Sequence, residues 1–320
     1  MIRGTISIRE ADRGDADLSA FVAVCNETTP DEPNSVENLR WEDAAYPGAS
    51  RFLAERDGRP VAAASVGRIY QYPPEYDGFW AHVNVAADSR GEGIGSALLS
   101  LVSDRARVAG KTALHVPASE VRPEAIAFLT HRGFAEYERA KIVRLDLAGL
   151  APPPIDLPTG VTLTTLADRP DLVPGIHALA VEAFEDIPGG DEPTSAGDLA
   201  EFRVRDVDRP SIPPGAFMIA LETATGRAIG YASLFMMPGD SRGAWHDMTA
   251  VRRAWRGRGL AGALKRATIG WAVGNGLDRL ETGNDLDNAA MRAVNARLGY
   301  RPVADRVILR GPLFSGIMVR

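Results

Sequence analysis

The 320-residue sequence predicts an α/β chain made of two copies of one domain in tandem, each a mixed, mostly antiparallel sheet flanked by helices. Three observations carry this: an internal repeat, a proline-rich junction, and a strand-and-helix order common to both halves. Arg90-Gly91-Glu92-Gly93-Ile94-Gly95 recurs 166 positions later as Arg256-Gly257-Arg258-Gly259-Leu260-Ala261, and Arg132-Gly133-Phe134 is matched at the same offset by Leu298-Gly299-Tyr300. Near the start of each half, Ala11 to Asp15 is matched by Ala167 to Asp171 at an offset of 156, so the second half carries about ten extra residues. The Pro/Gly-rich stretch from Ile187 to Gly215 is where they are expected. The period is that of a domain and not of a solenoid repeat. The junction from Leu150 to Pro158 is dense in prolines, which lack the donor N–H, so neither a helix nor a central strand continues through it. The domains are therefore placed at 1–150 and 159–320, with a linker at 151–158.

Within the first half, Thr5 to Arg9 alternates as a strand does. Residues 12 to 45 are polar with helical spacing and predict two helices. Arg51 to Glu55, a turn at Asp57-Gly58, and Val61 to Ile69 predict a hairpin. Phe79 to Val85 is the next strand. Gly93 to Arg107 is an amphipathic helix with Leu98, Leu99, Leu101 and Val102 facing inward. Ala113 to Val116 is a strand, and Pro123 to His131 a helix with proline in its first turn and Gly133 as its left-handed stop. Ala140 to Leu147 is the last strand. The order β-αα-βββ-α-β-α-β is repeated in the second half.

Composition narrows the function. Net charge is −6 with a pI near 5.5. No run of Lys or Arg suggests a nucleic-acid or membrane face, so neither partner is expected. No window approaches the roughly 20 apolar residues of a membrane span. Met1 to Thr5 leads into no charged-then-apolar leader, and the lone Cys25 cannot form an intramolecular disulfide, so a cytoplasmic protein is expected. His82, His115, His131, His177 and His246 show no ligand spacing, and no metal is expected.

The chemistry concentrates where a strand gives way to a glycine-rich helix start. In the first half this is Val83-Asn84-Val85, then Arg90 to Ser96. In the second it is Thr249-Ala250-Val251, then Arg256 to Gly262. A helix start offers unpaired N–H groups and a partial positive charge. Glycines let a pyrophosphate approach those groups, and nearby arginines add charge-assisted hydrogen bonds. The nearest decoy is the dinucleotide fingerprint. Gly257-Arg258-Gly259-Leu260-Ala261-Gly262 fits G-x-G-x-x-G, with Glu281 where a ribose-binding acid would stand. The first copy has Ser96 and His115 at those two places. The motif also follows three antiparallel strands instead of opening the fold, which argues against that reading.

These loops resemble the GNAT acyltransferase superfamily, whose signature Q/R-x-x-G-x-G/A is matched by Arg90, Gly93 and Gly95 and by Arg256, Gly259 and Ala261. The second half adds Asn284 to Met291, then Asn295 and Leu298-Gly299-Tyr300, similar to the asparagine-rich segment of many bacterial tandem members. The resemblance spans nearly the whole chain, twice. It implies acetyl-CoA as donor and an amine as acceptor. It assigns cofactor binding to Val83, Val85, Arg90, Gly91, Glu92, Gly93, Ile94, Gly95 and Ser96 in the first half. In the second it assigns Thr249, Val251, Arg256, Gly257, Arg258, Gly259, Leu260, Ala261, Gly262, Asn284 and Asn288. A helix N-cap is an equal reading of Asn288. The tyrosine that many members use to protonate the departing thiolate is replaced by Leu129 and Asn295, so that acid is missing from both halves.

The expected reaction is acetyl transfer to an amine of a small molecule. Transfer to a protein or peptide amine, and a CoA-binding sensor without turnover, are the alternatives. Either a monomer or a homodimer is compatible. Both loops are expected to bind CoA, and the second half to do the chemistry. The strand Trp245 to Val251 carries Asp247, the leading proton acceptor, which on a regular strand shares a face with Trp245 and Thr249. His246 is the reserve, if a bulge turns it. The same face of the first half offers Phe79, Ala81 and Val83, which take no proton. Acceptor-pocket candidates are Trp41, Tyr46, Tyr70, Tyr72 and Tyr76 in the first half, and Glu182, Phe184, Glu185, Asp186 and Met236 in the second.

Overall fold

The computed structural model describes residues 5–187 and 194–316. The first half runs β1 (Ile6–Glu10), α1 (Asp15–Thr28), α2 (Val36–Ala45), β2 (Ser50–Arg56), β3 (Arg59–Arg68), β4 (Gly78–Val85), α3 (Ile94–Val108), β5 (Ala113–Ser119), α4 (Pro123–Thr130) and β6 (Ala135–Asp146). The second runs β7 (Val161–Thr165), α5 (Val173–Phe184), α6 (Leu199–Phe202), β8 (Met218–Glu222), β9 (Ala228–Met236), β10 (Gly243–Val251), α7 (Leu260–Gly274), β11 (Arg279–Asp285), α8 (Ala289–Arg297), β12 (Arg301–Pro302) and β13 (Arg306–Pro312). The expected order holds in the first half, and in the second except that the closing strand is split into β12 and β13. β6 is longer than its sequence pattern implies, because it starts directly after Phe134. Of the extra stretch in the second half, residues 188–193 lie outside the described residues. The remainder contains α6, which continues as a π-helical turn over Arg203–Val207. Met1 to Gly4, the start of the segment read for a leader, also lie outside them.

The contacts divide the chain differently from the sequence repeat. Among the described residues, one compact unit holds 5–70, 74–139 and 306–316, and the other holds 71–73, 140–187 and 194–305. The two closing strands are exchanged. β13, the end of the second half, pairs antiparallel with β5 of the first from Arg306↔Ser119 to Pro312↔Ala113. β6, the end of the first half, pairs antiparallel with β11 of the second from Ala140↔Asp285 to Asp146↔Arg279. The boundary drawn near residue 150 follows the duplication. The compact units follow hydrogen-bonded pairing, which the repeat does not encode.

In the first unit the sheet order is β1-β2-β3-β4-β5-β13, with only β4–β5 parallel. Alternation along the strands feeds two cores. Leu98, Leu99 and Val102 of α3 are fully buried against Ala62, Ala64, Ala81, Val307 and Leu309. On a second set of positions, Leu18, Phe21 and Val24 of α1 pack with Leu39, Leu53 and Ala63. Neighbouring Ala63 and Ala64 thus serve opposite faces, as a period of two requires. In the second unit the order is β6-β11-β10-β9-β8-β7, again with one parallel pair, β10–β11. There α7 packs Leu260, Leu264 and Ala267 against Ala220, Ala232 and Val251. On the other face, α5 packs Ile176, Leu179 and Ala180 against Ile219 and Tyr231.

Candidate active site

Each parallel strand pair is joined over only three positions. β4 and β5 pair from Gly78↔Ala113 to Trp80↔His115, and β10 and β11 from Gly243↔Arg279 to Trp245↔Glu281. Beyond those positions the strands part, and backbone that would be laddered in a closed sheet becomes available to a ligand. At the far end of each opening lies a glycine-rich loop. Val85 leads through a 3₁₀ turn at Ala87–Ser89 to Arg90, and Val251 through one at Arg253–Trp255 to Arg256. Arg90 Nε donates to the Val85 carbonyl at 3.0 Å, and Arg256 Nε to the Val251 carbonyl at 3.0 Å, so each arginine ties its loop to the strand end. Gly93 (φ 87°) and Gly259 (φ 83°) are the left-handed N-caps of α3 and α7, a conformation that glycine adopts at least cost. Neither helix start has a side-chain cap. A Cβ added at Gly257 or Gly259 would meet nothing within 4 Å. Uncapped N–H groups facing open space suit an anionic phosphate.

The copies differ in what surrounds this geometry. In the first, a Cβ at Gly95 would stand 3.4 Å from the Phe128 ring, and Arg132 lies 3.7 Å over that ring while donating to Ser96 Oγ at 2.7 Å. The first opening is therefore partly filled by the chain itself. Glu92 adds a negative charge in this loop and is paired with Arg56. In the second copy, Val294 stands at the Phe128 position and Arg258 at the Glu92 position, with Arg258 stacked 4.7 Å over Trp255. Here Thr249 Oγ1 is buried without a hydrogen-bond partner among the described residues. An orphaned hydroxyl beside an opened strand fits a ligand that supplies the partner. The residues of the second copy thus fit a nucleotide-pantetheine ligand such as CoA better than those of the first.

The bulge weighed for β10 is present, and it changes which residues share a face. β9 and β10 pair at His246↔Leu234 and next at Thr249↔Ala232, three residues against two. β4 pairs with β3 without such a shift. Partners opposite each other point to one face, so His246 and Thr249 both join Leu234 and Ala232 on the α7 side. Thr249 therefore does not share the face of Asp247, because the extra residue inverts the alternation after it. Nor does the bulge turn His246 outward. His246 is 1% exposed, with Nδ1 2.9 Å from Tyr300 Oη and Nε2 2.9 Å from Thr268 Oγ1. Thr268 donates its proton to the Lys265 carbonyl, so it accepts from Nε2–H, and Nδ1 accepts from Tyr300. Burial, reinforced by Lys265, holds this imidazole well below its usual pKa, so it is neutral.

Asp247 is half-buried on the α5 face, with Ser233 Oγ at 3.4 Å. Burial raises its pKa, against the pull of Arg209. Asp206, on the π-helical turn, is pushed up to about 7 by burial and further raised by the Asp247 charge, although Arg205 pairs with it at 2.8 Å. Aromatic rings wall this cluster. Arg205 lies 5.3 Å over Phe184, Arg209 4.7 Å over Phe235, and Phe235 stacks on Trp245 at 6.3 Å. Asp206, Arg205 and Arg209 gave no sequence signal, because they sit in the extra stretch that the first copy lacks.

The other acidic candidates lie elsewhere. Glu182 accepts from Arg252 at 2.9 Å and from the Arg253 amide at 2.6 Å. Asp186 takes Arg253 and Arg256, each at 2.8 Å, which lowers its carboxyl to about 2. Glu185 meets Arg253 at 3.0 Å. These acids are engaged by the arginines of the loop and do not join Asp247. In the first unit the Tyr46 ring meets Trp41 edge-on at 5.3 Å and Tyr70 at a tilt at 4.4 Å. Asn288 caps α8 by accepting from the Met291 amide at 3.2 Å, which is the N-cap reading.

Sequence reasoning also missed Lys265. It is 1% exposed inside the apolar stripe of α7, and burial brings its ammonium down to about 7 from 10.5. Between those values the unfolded chain binds the proton that the fold lacks, so stability climbs as pH rises from 7 to 10.5 and is flat below. Lys265→Met is expected to abolish that climb, on the order of 4 kcal/mol. Denaturant midpoints of the two proteins across this pH range measure it.

The chain is thus a duplicated α/β scaffold with two glycine-capped helix starts, each beside an opened parallel strand pair. A model of the acetyltransferase (GNAT) family matches residues 18–134 and again 177–300, more than half of the chain, and the chain belongs to this family. It is similar in fold to a tandem GNAT protein from the clavulanic acid biosynthesis pathway (TM-score 0.79, 20% identity, covering 98% of this chain and 100% of that one). It is also similar to a GCN5-related N-acetyltransferase from Sphaerobacter thermophilus (TM-score 0.74, 20% identity, 98% and 97% covered). A further likeness is to the N-myristoyltransferase of Saccharomyces cerevisiae (TM-score 0.66, 11% identity, 96% and 78% covered). No curated protein sequence matches the chain.

Proposed function

We propose that the chain moves an acetyl group from acetyl-CoA to an amine of a small molecule, with the second half as the working site. The observation that carries this is the carboxyl of Asp247, raised by burial at a strand bulge that only the second copy has. An alkyl amine is mostly protonated at neutral pH, so a base of raised pKa is the group such a reaction needs. Acetyl-CoA, when bound, supplies the thioester. The amides from Gly259 to Gly262 would hold its pyrophosphate, and Thr249 and Asn284 would face its arm. Asp247 accepts the proton of the amine, and Asp206 sets the charge beside it. His246, with both ring nitrogens engaged, orders the core behind the strand. The aromatic walls and the partial burial of both acids favour a compact acceptor over a chain. Thiol release with acetyl-CoA and a panel of small amines, run beside a panel of peptides, tests the reading. Turnover confined to peptides would overturn it.

Two CoA sites of unequal strength are expected by calorimetry, the stronger in the second half. Gly259→Val, which strains a left-handed position, is expected to weaken that site about tenfold or more, and Gly93→Val to leave it intact. Phe128→Ala is expected to tighten the weaker site by opening the first cleft. Equal sites that ignore Phe128 would contradict this.

A further inference from the structure

We propose that Lys265 and Asn295 are positioning residues that fix the amide of Asn284 with its N–H group turned out as a donor toward the opening between β10 and β11, where it receives an acceptor atom on the pantetheine–thioester arm of CoA. The inference rests on the reading of the second cleft given above.

Lys265 Nζ donates to Asn295 Oδ1 at 2.7 Å, and Asn295 Nδ2 donates to Asn284 Oδ1 at 2.6 Å. Below the lowered value of about 7 Lys265 is an ammonium with donors only, so there it dictates the orientation of the first amide. The first amide, its oxygen taken, offers nitrogen to the second. The second must then present oxygen inward, and its own nitrogen is the free end of the chain. Asn284 Nδ2 has no hydrogen-bond partner among the described residues. Asn284 lies three residues past Glu281, the last position where β11 is joined to β10. It is half-buried, whereas Asn295 and Lys265 are each 1% exposed.

The cation at the root of this chain has a hydrogen-bond partner in Asn295 but no counter-charge among the described residues. No carboxylate pairs with Lys265 among the described residues, and its other neighbour is the Tyr300 ring, 5.4 Å away. A buried ammonium costs free energy unless its charge is used. Here the charge polarises two amides in series, which strengthens the last donor in a low-dielectric setting. The chain has no counterpart in the first copy, where Leu129, Ala118 and Leu99 stand at the positions of Asn295, Asn284 and Lys265.

The test separates the arm of CoA from its phosphates. CoA and ADP share a diphosphate, and ADP lacks the pantetheine arm. Calorimetry is run with both probes on the full chain, on three single variants and on one double variant. Lys265→Met and Asn284→Ala are each expected to weaken CoA about tenfold and leave ADP unchanged. Combining them is expected to cost no more than one alone, since both break one chain. Asn295→Asp guards against misfolding: it keeps a partner for Lys265 but cannot donate onward, and is expected to weaken CoA alike. CoA binding unchanged in Asn295→Asp, or CoA and ADP weakened equally in all three, overturns the proposal. A wild-type chain that binds neither probe overturns the reading of the cleft itself, and the proposal with it.

Discussion

Asp247→Asn is expected to lower kcat by roughly a hundredfold to ten-thousandfold, the usual span for losing a general base, while CoA affinity stays the same. The substitution keeps the volume and the hydrogen-bonding reach toward Ser233, so the loss reports the proton alone. The pH profile gives the sign. A base must be ionised to work, so activity falls as pH drops through the carboxyl's raised pKa, and the fall starts at a higher pH than for an exposed aspartate. Asp206→Asn removes the neighbour whose own carboxyl the Asp247 charge pushes up, and is expected to lower the rate less than Asp247→Asn while leaving the acid limb in place. Steady-state thiol release at several pH values reads both effects. Full turnover in Asp247→Asn together with loss in Gly93→Val would move the chemistry to the first half.

The second large effect concerns folding. Ending the chain after Asp305 is expected to abolish cooperative unfolding of the first unit. That unit would lose β13, with Val307 and Leu309 at 0% and 1% exposure, and would bare the full length of β5. Each large buried side chain lost costs about 2–5 kcal/mol, and a whole domain is stable by only about 5–15. The fragment 1–150 alone is expected to fail in the same way, and a synthetic peptide of residues 303–316 to restore its helical signal on addition. A fragment 1–139, which lacks most of β6 as well, that melts cooperatively by itself would show that β13 is dispensable.

How much of this lay open in the sequence depended on the scale of the signal. The strand and helix order was legible because each element is written twice, and because α3 and α7 place their leucines at helical spacing in front of the same loop. The loops were legible because glycine at 93 and 259 answers a local backbone demand. The strand exchange was not, since β6 and β13 are copies of one another and nothing local says which β5-like strand either will join. The bulge in β10 was foreseen only as an option. Its register depends on β9, and it put Thr249 on the face opposite Asp247. Asp206 has no counterpart in the first copy, so the repeat could not point to it. Lys265 sits within an apolar stripe, where a single lysine passes for a side chain whose end reaches solvent. Glu182 and Asp186 looked like acceptor-site acids, because their arginine partners are some 70 residues away in the chain.

The exchange of β13 also sets a schedule. A ribosome delivers the chain from one end, and the strand that closes the first unit is made long after the rest of that unit. Roughly 170 residues follow Arg139 before β13 appears, which at about 5–20 residues per second is a wait on the order of ten to thirty seconds. Through that interval β5 has a bare edge, and the leucines of α3 pack against a sheet one strand short. Slow codons after Arg139 would prolong that exposure, and fast ones would shorten it.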